Sequence, residues 1–111
     1  MAGTKIVAMF ARLDSLSHEE FVARYEGGHV PLVIGLLPPF DSYQRHYISD
    51  PEIRARLGFD VITEACFTSA EAYQAVLRSM GDPDIAQRIA EDEACFIDRE
   101  RSLVFQPDVR G

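Results

Sequence analysis

Two of the three histidines in this chain have neighbours suited to acid–base chemistry. His29 lies in LSHEEFVARYEGGHVPLVIGLL, residues 16–37, on a stripe with Phe21, Tyr25, Leu32 and Leu36. Intervals of four, four, three and four keep these residues on one helical face. A continuing helix therefore carries an imidazole inward on its apolar side, with Tyr25 one turn before it as a candidate substrate contact. Glu64 lies in FDVITEACF, residues 59–67, where it shares a strand face with Ile62 and Cys66. Burial disfavours a charged imidazole and a neighbouring carboxylate favours it. A His29–Glu64 pair would thus be a base oriented by an acid. The alternative is a structural hydrogen bond between two buried polar groups, which folded proteins commonly contain.

A second set of candidates lies in FDSYQRHYI, residues 40–48. Tyr43, His46 and Tyr47 offer phenol and imidazole groups that can hydrogen-bond a substrate carbonyl or hydroxyl. Alternation places His46 on one face and both tyrosines on the other, so they do not all line one cavity. The competing reading is a partly solvated strand at a dimer seam. His18, beside two glutamates in the first turn of a helix, reads as solvated surface. Three scattered histidines give no metal-ligand spacing. Gly27-Gly28 is no phosphate-cradling loop, and serine-nucleophile motifs are absent. No metal or cofactor is expected. What remains is cofactor-free acid–base chemistry, or simple binding.

The 111 residues, 47 % of them hydrophobic, fit a single domain spanning residues 1–111. At this length roughly two-thirds of the unfolded surface can be buried without disulfides. Cys66 and Cys95 read as reduced, buried thiols. A net charge of −7 works against nucleic-acid binding and against anionic membrane surfaces, leaving small molecules and proteins as partners. No stretch is apolar for the roughly 18 residues a membrane span needs, and no signal peptide is evident, so a cytoplasmic protein is expected.

The elements that must position these groups follow from local signals. KIVAMFA, residues 5–11, is apolar on both alternating faces, as a doubly buried strand would be. Ser17 and Glu20 form a capping box, with Leu16 and Phe21 as its hydrophobic staple. Gly27, Gly28 and Pro31 predict a kink or short break around His29, and Pro38-Pro39 ends the helix by Leu37. Residues 40–48 and 59–67 read as strands, separated by a charged loop with one helical turn from Pro51. Thr68 and Glu71 form a second capping box for a helix to about Met80. Asp82-Pro83 opens a third helix whose inward face is Ile85, Ile89, Phe96 and either Asp92 or Glu93. SLVFQ, residues 102–106, is the last strand. The order strand, helix, strand, strand, helix in two pieces, strand is the α+β ferredoxin-like βαββαβ pattern, an antiparallel sheet with helices on one face. Strands one and three are apolar on both faces, so the open face predicts a homodimer.

Three motifs resemble the EthD family of the dimeric α+β barrel superfamily. SHEEFVARYEGGHVPLV is similar to its helix signature, FDVITEACFTSAEAY to its strand ending in an acid before the next helix, and DEACFIDRERSLVF to its closing segment. The resemblance implies a dimer whose two sheets pack into a barrel, and a cavity between sheet and helices. It matches His29 to a recurrent helix histidine, Glu64 to the strand acid, and Asp92, Glu93 and Phe96 to the closing motif. Relatives include proteins linked to ether degradation and enzymes that decarboxylate or dehydrate aromatic polyketides; cofactor-free monooxygenases are more distant. Many members carry tryptophan where this chain has Glu26. The function expected is acid–base decarboxylation, dehydration or cyclisation, or else oxygenation, of a hydrophobic aromatic or polyketide-like molecule. His29 and Glu64 would be catalytic, with Tyr25, Tyr43, His46, Tyr47, Asp92 and Phe96 binding substrate. The alternative is a non-catalytic binding or accessory protein of a degradation or oxidation system.

Overall fold

A computed structural model describes residues 3–111. Four antiparallel strands, β1 (Thr4–Arg12), β2 (Ser42–Tyr47), β3 (Val61–Phe67) and β4 (Ile97–Phe105), form one sheet in the order β2-β3-β1-β4. With the helices between them, this is the ferredoxin-like α+β fold. Among the described residues no helix is long and apolar enough to cross a membrane.

The helical segment after β1 is continuous. It comprises α1 (His18–Arg24), a π-helical turn (Tyr25–His29) and α2 (Val30–Leu36). Ser17 accepts from the Glu20 N–H while Glu20 reaches back to the Ser17 N–H, as the capping box requires. The break expected at His29 is instead this wider turn, in which the Val30 N–H donates to the Tyr25 carbonyl five residues back. Pro31 then follows the wide turn, near the start of α2. The extra residue in the turn absorbs the proline without ending the helix.

Several boundaries differ from expectation. The helix after β3, α4 (Ala70–Met80), is capped by Ser69, whose hydroxyl accepts from Ala72, so the cap is one residue later than Thr68. The 49–58 loop holds a full seven-residue helix, α3 (Pro51–Leu57), closed by Gly58 at φ 81°. That left-handed position disfavours any Cβ, so Gly58→Ala should cost about 1–2 kcal/mol, read as a lower urea midpoint at unchanged m-value. β4 starts at Ile97, taking in the polar DRER stretch, because an irregularity opposite Met9–Ala11 interrupts its alternation. Helix α5 (Pro83–Ala94) is capped by Asp82 as predicted. Cys95 is exposed, not buried, and Cys66 is half-buried.

The core lies between the sheet and the helices. Phe21, Tyr25 and Phe96 fill its centre, with Phe10, Val61 and Ile97 against them. On the other sheet face, Val7, Met9, Ile62, Leu103 and Phe105 share one side by register, and none of them is buried. The expectation that β1 and β3 carry apolar residues on both faces is met, and among the described residues the apolar side chains of the second face are left unburied.

Candidate functional site

His29 is 3 % exposed, on the turn where the helix widens, and its imidazole meets two carboxylates from the end of α5. Nδ1 lies 2.8 Å from Asp92 Oδ2. Nε2 lies 3.9 Å from Glu93 Oε2, too far for a hydrogen bond. With Nδ1–H donated to Asp92, the proton-exchanging position is Nε2. The other oxygen of Asp92 accepts from Arg24 Nη2, so the orienting carboxylate is itself held in place. Gly28 belongs to this arrangement, because a Cβ there would collide with the Arg24 guanidinium.

Glu93 is the anomalous group. Burial raises its carboxyl pKa above the ordinary range, against the opposing pull of His29 and Arg99. The folded protein thus holds this proton more tightly than the unfolded chain does. Its contribution favours folding below the ordinary carboxylate range and is lost as pH rises through the raised value. Glu93→Gln should therefore be the more stable protein at neutral pH, with the advantage gone near about pH 4, as read from urea titrations across that range.

The imidazole borders a cavity of about 190 Å³ between helices and sheet, with Phe10, Tyr25, Tyr43, Thr63, Glu93 and Val104 among its walls. An apolar hollow of about 240 Å³ adjoins it across Val33 and Tyr43, walled by Pro38, Pro39 and Phe40. Tyr25 and Thr63 share a hydrogen bond of 2.7 Å, and Tyr43 packs beside them. Burial pushes both phenols up in pKa, so they are neutral hydrogen-bonding groups at physiological pH.

The remaining candidates divide by sheet face. Glu64 does not meet His29. It lies on the outer face, where Lys5 Nζ is 2.8 Å and His46 Nε2 3.3 Å away. Because Thr63 faces Tyr25, its neighbour Glu64 must point to the other side. His46 is therefore outside the cavity as well. Tyr47 is on the helix side, but its hydroxyl donates to Glu26 at 2.6 Å, and burial raises its pKa. Glu26 also receives both arms of Arg45, at 2.9 and 2.8 Å, which pulls its pKa below the usual range. Phe96 packs on His29 and Tyr25, with ring centroids 5.3 and 5.5 Å apart. It is part of the wall behind the imidazole, fully buried. His18, read as surface, is bonded to the buried Asp60 at 2.8 Å. Glu93, expected only as an inward-facing alternative to Asp92 and as part of the closing motif, joins the site together with Asp92; the adjacency of two acids at the end of an otherwise amphipathic helix is the signal for both.

The family model for the EthD domain matches residues 13–100. No curated protein matches the sequence. Among solved structures, an EthD family protein from Bacillus halodurans superposes with a TM-score of 0.65 at 17 % identity, covering 98 % of this chain and 100 % of that one. SnoaB, a cofactor-independent oxygenase from Streptomyces nogalater, superposes at 0.64 with 14 % identity over 100 % and 96 % of the two chains. A dimeric ferredoxin-like protein of unknown function from Jannaschia gives 0.62 at 16 % identity over 97 % and 100 %. At these identities the likeness concerns the fold.

Proposed function

Because the chain belongs to the EthD domain family, we propose that it is a small homodimeric enzyme performing cofactor-free acid–base chemistry on a hydrophobic, aromatic or polyketide-like molecule. The observation that carries this reading is the buried imidazole whose Nδ1 is held by Asp92 while Nε2 is left free beside Glu93. Nε2 takes a proton from a substrate hydroxyl or activated C–H, and the imidazolium so formed is stabilised by Asp92. Glu93, whose carboxyl pKa burial raises, is placed to return a proton to carbon or to a departing oxygen. The Tyr25–Thr63 pair and Tyr43 hydrogen-bond the substrate oxygen on which negative charge develops. Decarboxylation, dehydration and cyclisation all use this proton traffic. Oxygenation of a deprotonated phenol would begin with the same first step, and one structural neighbour is an oxygenase of the cofactor-independent kind.

Glu64, His46 and Tyr47 take no part in this scheme. Asp92 assumes the orienting role first expected of Glu64. The uncovered apolar row Val7, Met9, Ile62, Leu103 and Phe105 supports sheet-to-sheet pairing of two copies, as do dimeric proteins of this fold. Met9→Lys should convert a dimer to a monomer in light scattering, since it places an unpaired ammonium in the centre of that row.

Hydroxylated naphthalenes and hydroxynaphthoic acids, incubated under nitrogen and under air with no added cofactor, test the chemistry. Product, or deuterium exchanged from solvent into carbon, under nitrogen supports non-oxidative proton transfer; product only under air supports the oxygenase branch. A ligand bound and released unchanged under both gases, with no exchange, would overturn the enzymatic reading in favour of a binding protein.

A further inference from the structure

Strand β4 changes phase along its length. A step of two residues on β1, from Met9 to Ala11, is matched by a step of five on β4, from Leu103 to Asp98. Bulges of this kind re-aim side chains. Here Arg99 and Ser102, which strict alternation would place on opposite faces, line the same hollow of about 200 Å³. Ile97, Phe10, Glu93 and Val104 complete its walls. Phe10, Glu93 and Val104 also wall the cavity beside His29, so the two spaces meet along these three side chains.

Arg99, an exposed residue lining this hollow, differs from four other guanidiniums of the chain. Arg24 is paired with Asp92, Arg12 with Asp60, Arg45 with Glu26, and Arg101 with Asp98 and Asp14. Among the described residues Arg99 has no carboxylate within salt-bridge distance. A cavity walled by Glu93, in a chain of net charge −7, disfavours an anionic ligand unless a cation is built beside it. A guanidinium is suited to that task because its planar fork meets a carboxylate with two parallel hydrogen bonds.

We propose that Arg99 anchors the carboxylate of an aromatic hydroxy-acid substrate, whose ring lies against Phe10 and Val104 and whose hydroxyl meets His29 and Glu93. The proposal rests on the acid–base reading of the same cavity and narrows its substrate to an arene carrying both a carboxylate and a hydroxyl. The bulge is then a device of specificity, because it turns Arg99 toward the site.

Two fluorescent probes that differ only by the carboxylate, 3-hydroxy-2-naphthoate and 2-naphthol, separate the contributions. Binding is measured by fluorescence titration to the parent protein, Arg99→Gln and Arg99→Lys, with thermal melts confirming the fold of this exposed-site variant pair. The parent should bind the naphthoate more tightly than the naphthol. Arg99→Gln should weaken the naphthoate by about 10–100-fold, the worth of a charge-assisted hydrogen bond, and leave the naphthol unchanged. Arg99→Lys should recover part of the loss. Equal naphthoate binding by the parent and Arg99→Gln, with the naphthol also bound, overturns the role of Arg99 and leaves the cavity reading standing. Failure of both probes to bind the parent protein overturns the proposal together with the cavity reading on which it rests.

Discussion

Replacing His29 by alanine is expected to lower turnover by roughly 10²–10⁴-fold, the usual contribution of a positioned acid–base group. The loss should fall on kcat more than on KM, because the imidazole acts on a proton and leaves the apolar walls intact. His29→Ala also removes the partner of Asp92, but Arg24 still holds that carboxylate, so the folded state is not left with an unpaired buried charge. Asp92→Asn should retain the fold and lose activity for a different reason. An amide can present its N–H to Nδ1, which shifts the ring proton to Nε2 and blocks that position as a base. The two variants together distinguish a working imidazole from a merely buried one: a structural histidine would lose stability in both without a change in the pH profile of the residual activity.

The second large effect is on stability. Phe96 is completely buried and touches Phe21, Tyr25 and His29, with centroid separations of 5.6, 5.5 and 5.3 Å. Its backbone also ties α5 to the rest of the chain, accepting from the Leu13 N–H and donating to the Glu93 carbonyl. Phe96→Ala should cost about 3–5 kcal/mol, the range for emptying an aromatic site in a packed core. For a domain of this size that is a large share of total stability, so the melting temperature should fall by well over about 10 °C. Phe96→Leu should cost less and serve as the control that keeps a folded protein available. Because Phe96 follows Asp92 and Glu93 within one helical turn and its N–H donates to the Glu93 carbonyl, the alanine variant should also loosen the carboxylates around His29 and reduce activity in whatever fraction remains folded.

Much of this organisation is legible in the sequence, and the failures have specific causes. The helix of residues 16–37 is written in its capping box, its staple and the spacing of Phe21, Tyr25 and His29, all of them local signals that tertiary packing had no reason to override. The glycines and Pro31 mark an irregularity at the right place. Local pattern does not say whether a proline will break a helix or be accommodated by one extra residue, because that depends on how much buried surface the second half contributes. The partner of His29 was misassigned for a geometric reason. Alternation shows that Ile62, Glu64 and Cys66 share a face, but not which of the two faces the helices cover. Here it is Thr63 that faces inward to bond Tyr25, and Glu64 lies opposite with Lys5. The true partners lie 63 and 64 positions along the chain, at the end of a helix, where acids ordinarily read as solvated. Arg99 was hidden by a bulge, which cancels the alternation by which strand faces are recognised. His18 read as surface because its sequence neighbours are charged, whereas Asp60, 42 residues away, draws it down onto the core.

The proposed chemistry depends on the His29 imidazole, and nitrogen chemical shifts of the histidine rings in ¹⁵N-labelled protein address it directly. His29 should carry its proton on Nδ1 in the free protein, and its Nε2 resonance should move more than its Nδ1 resonance when a hydroxynaphthoate fills the cavity. A His29 protonated on Nε2, or one whose two nitrogens are indifferent to a bound ligand, would contradict it.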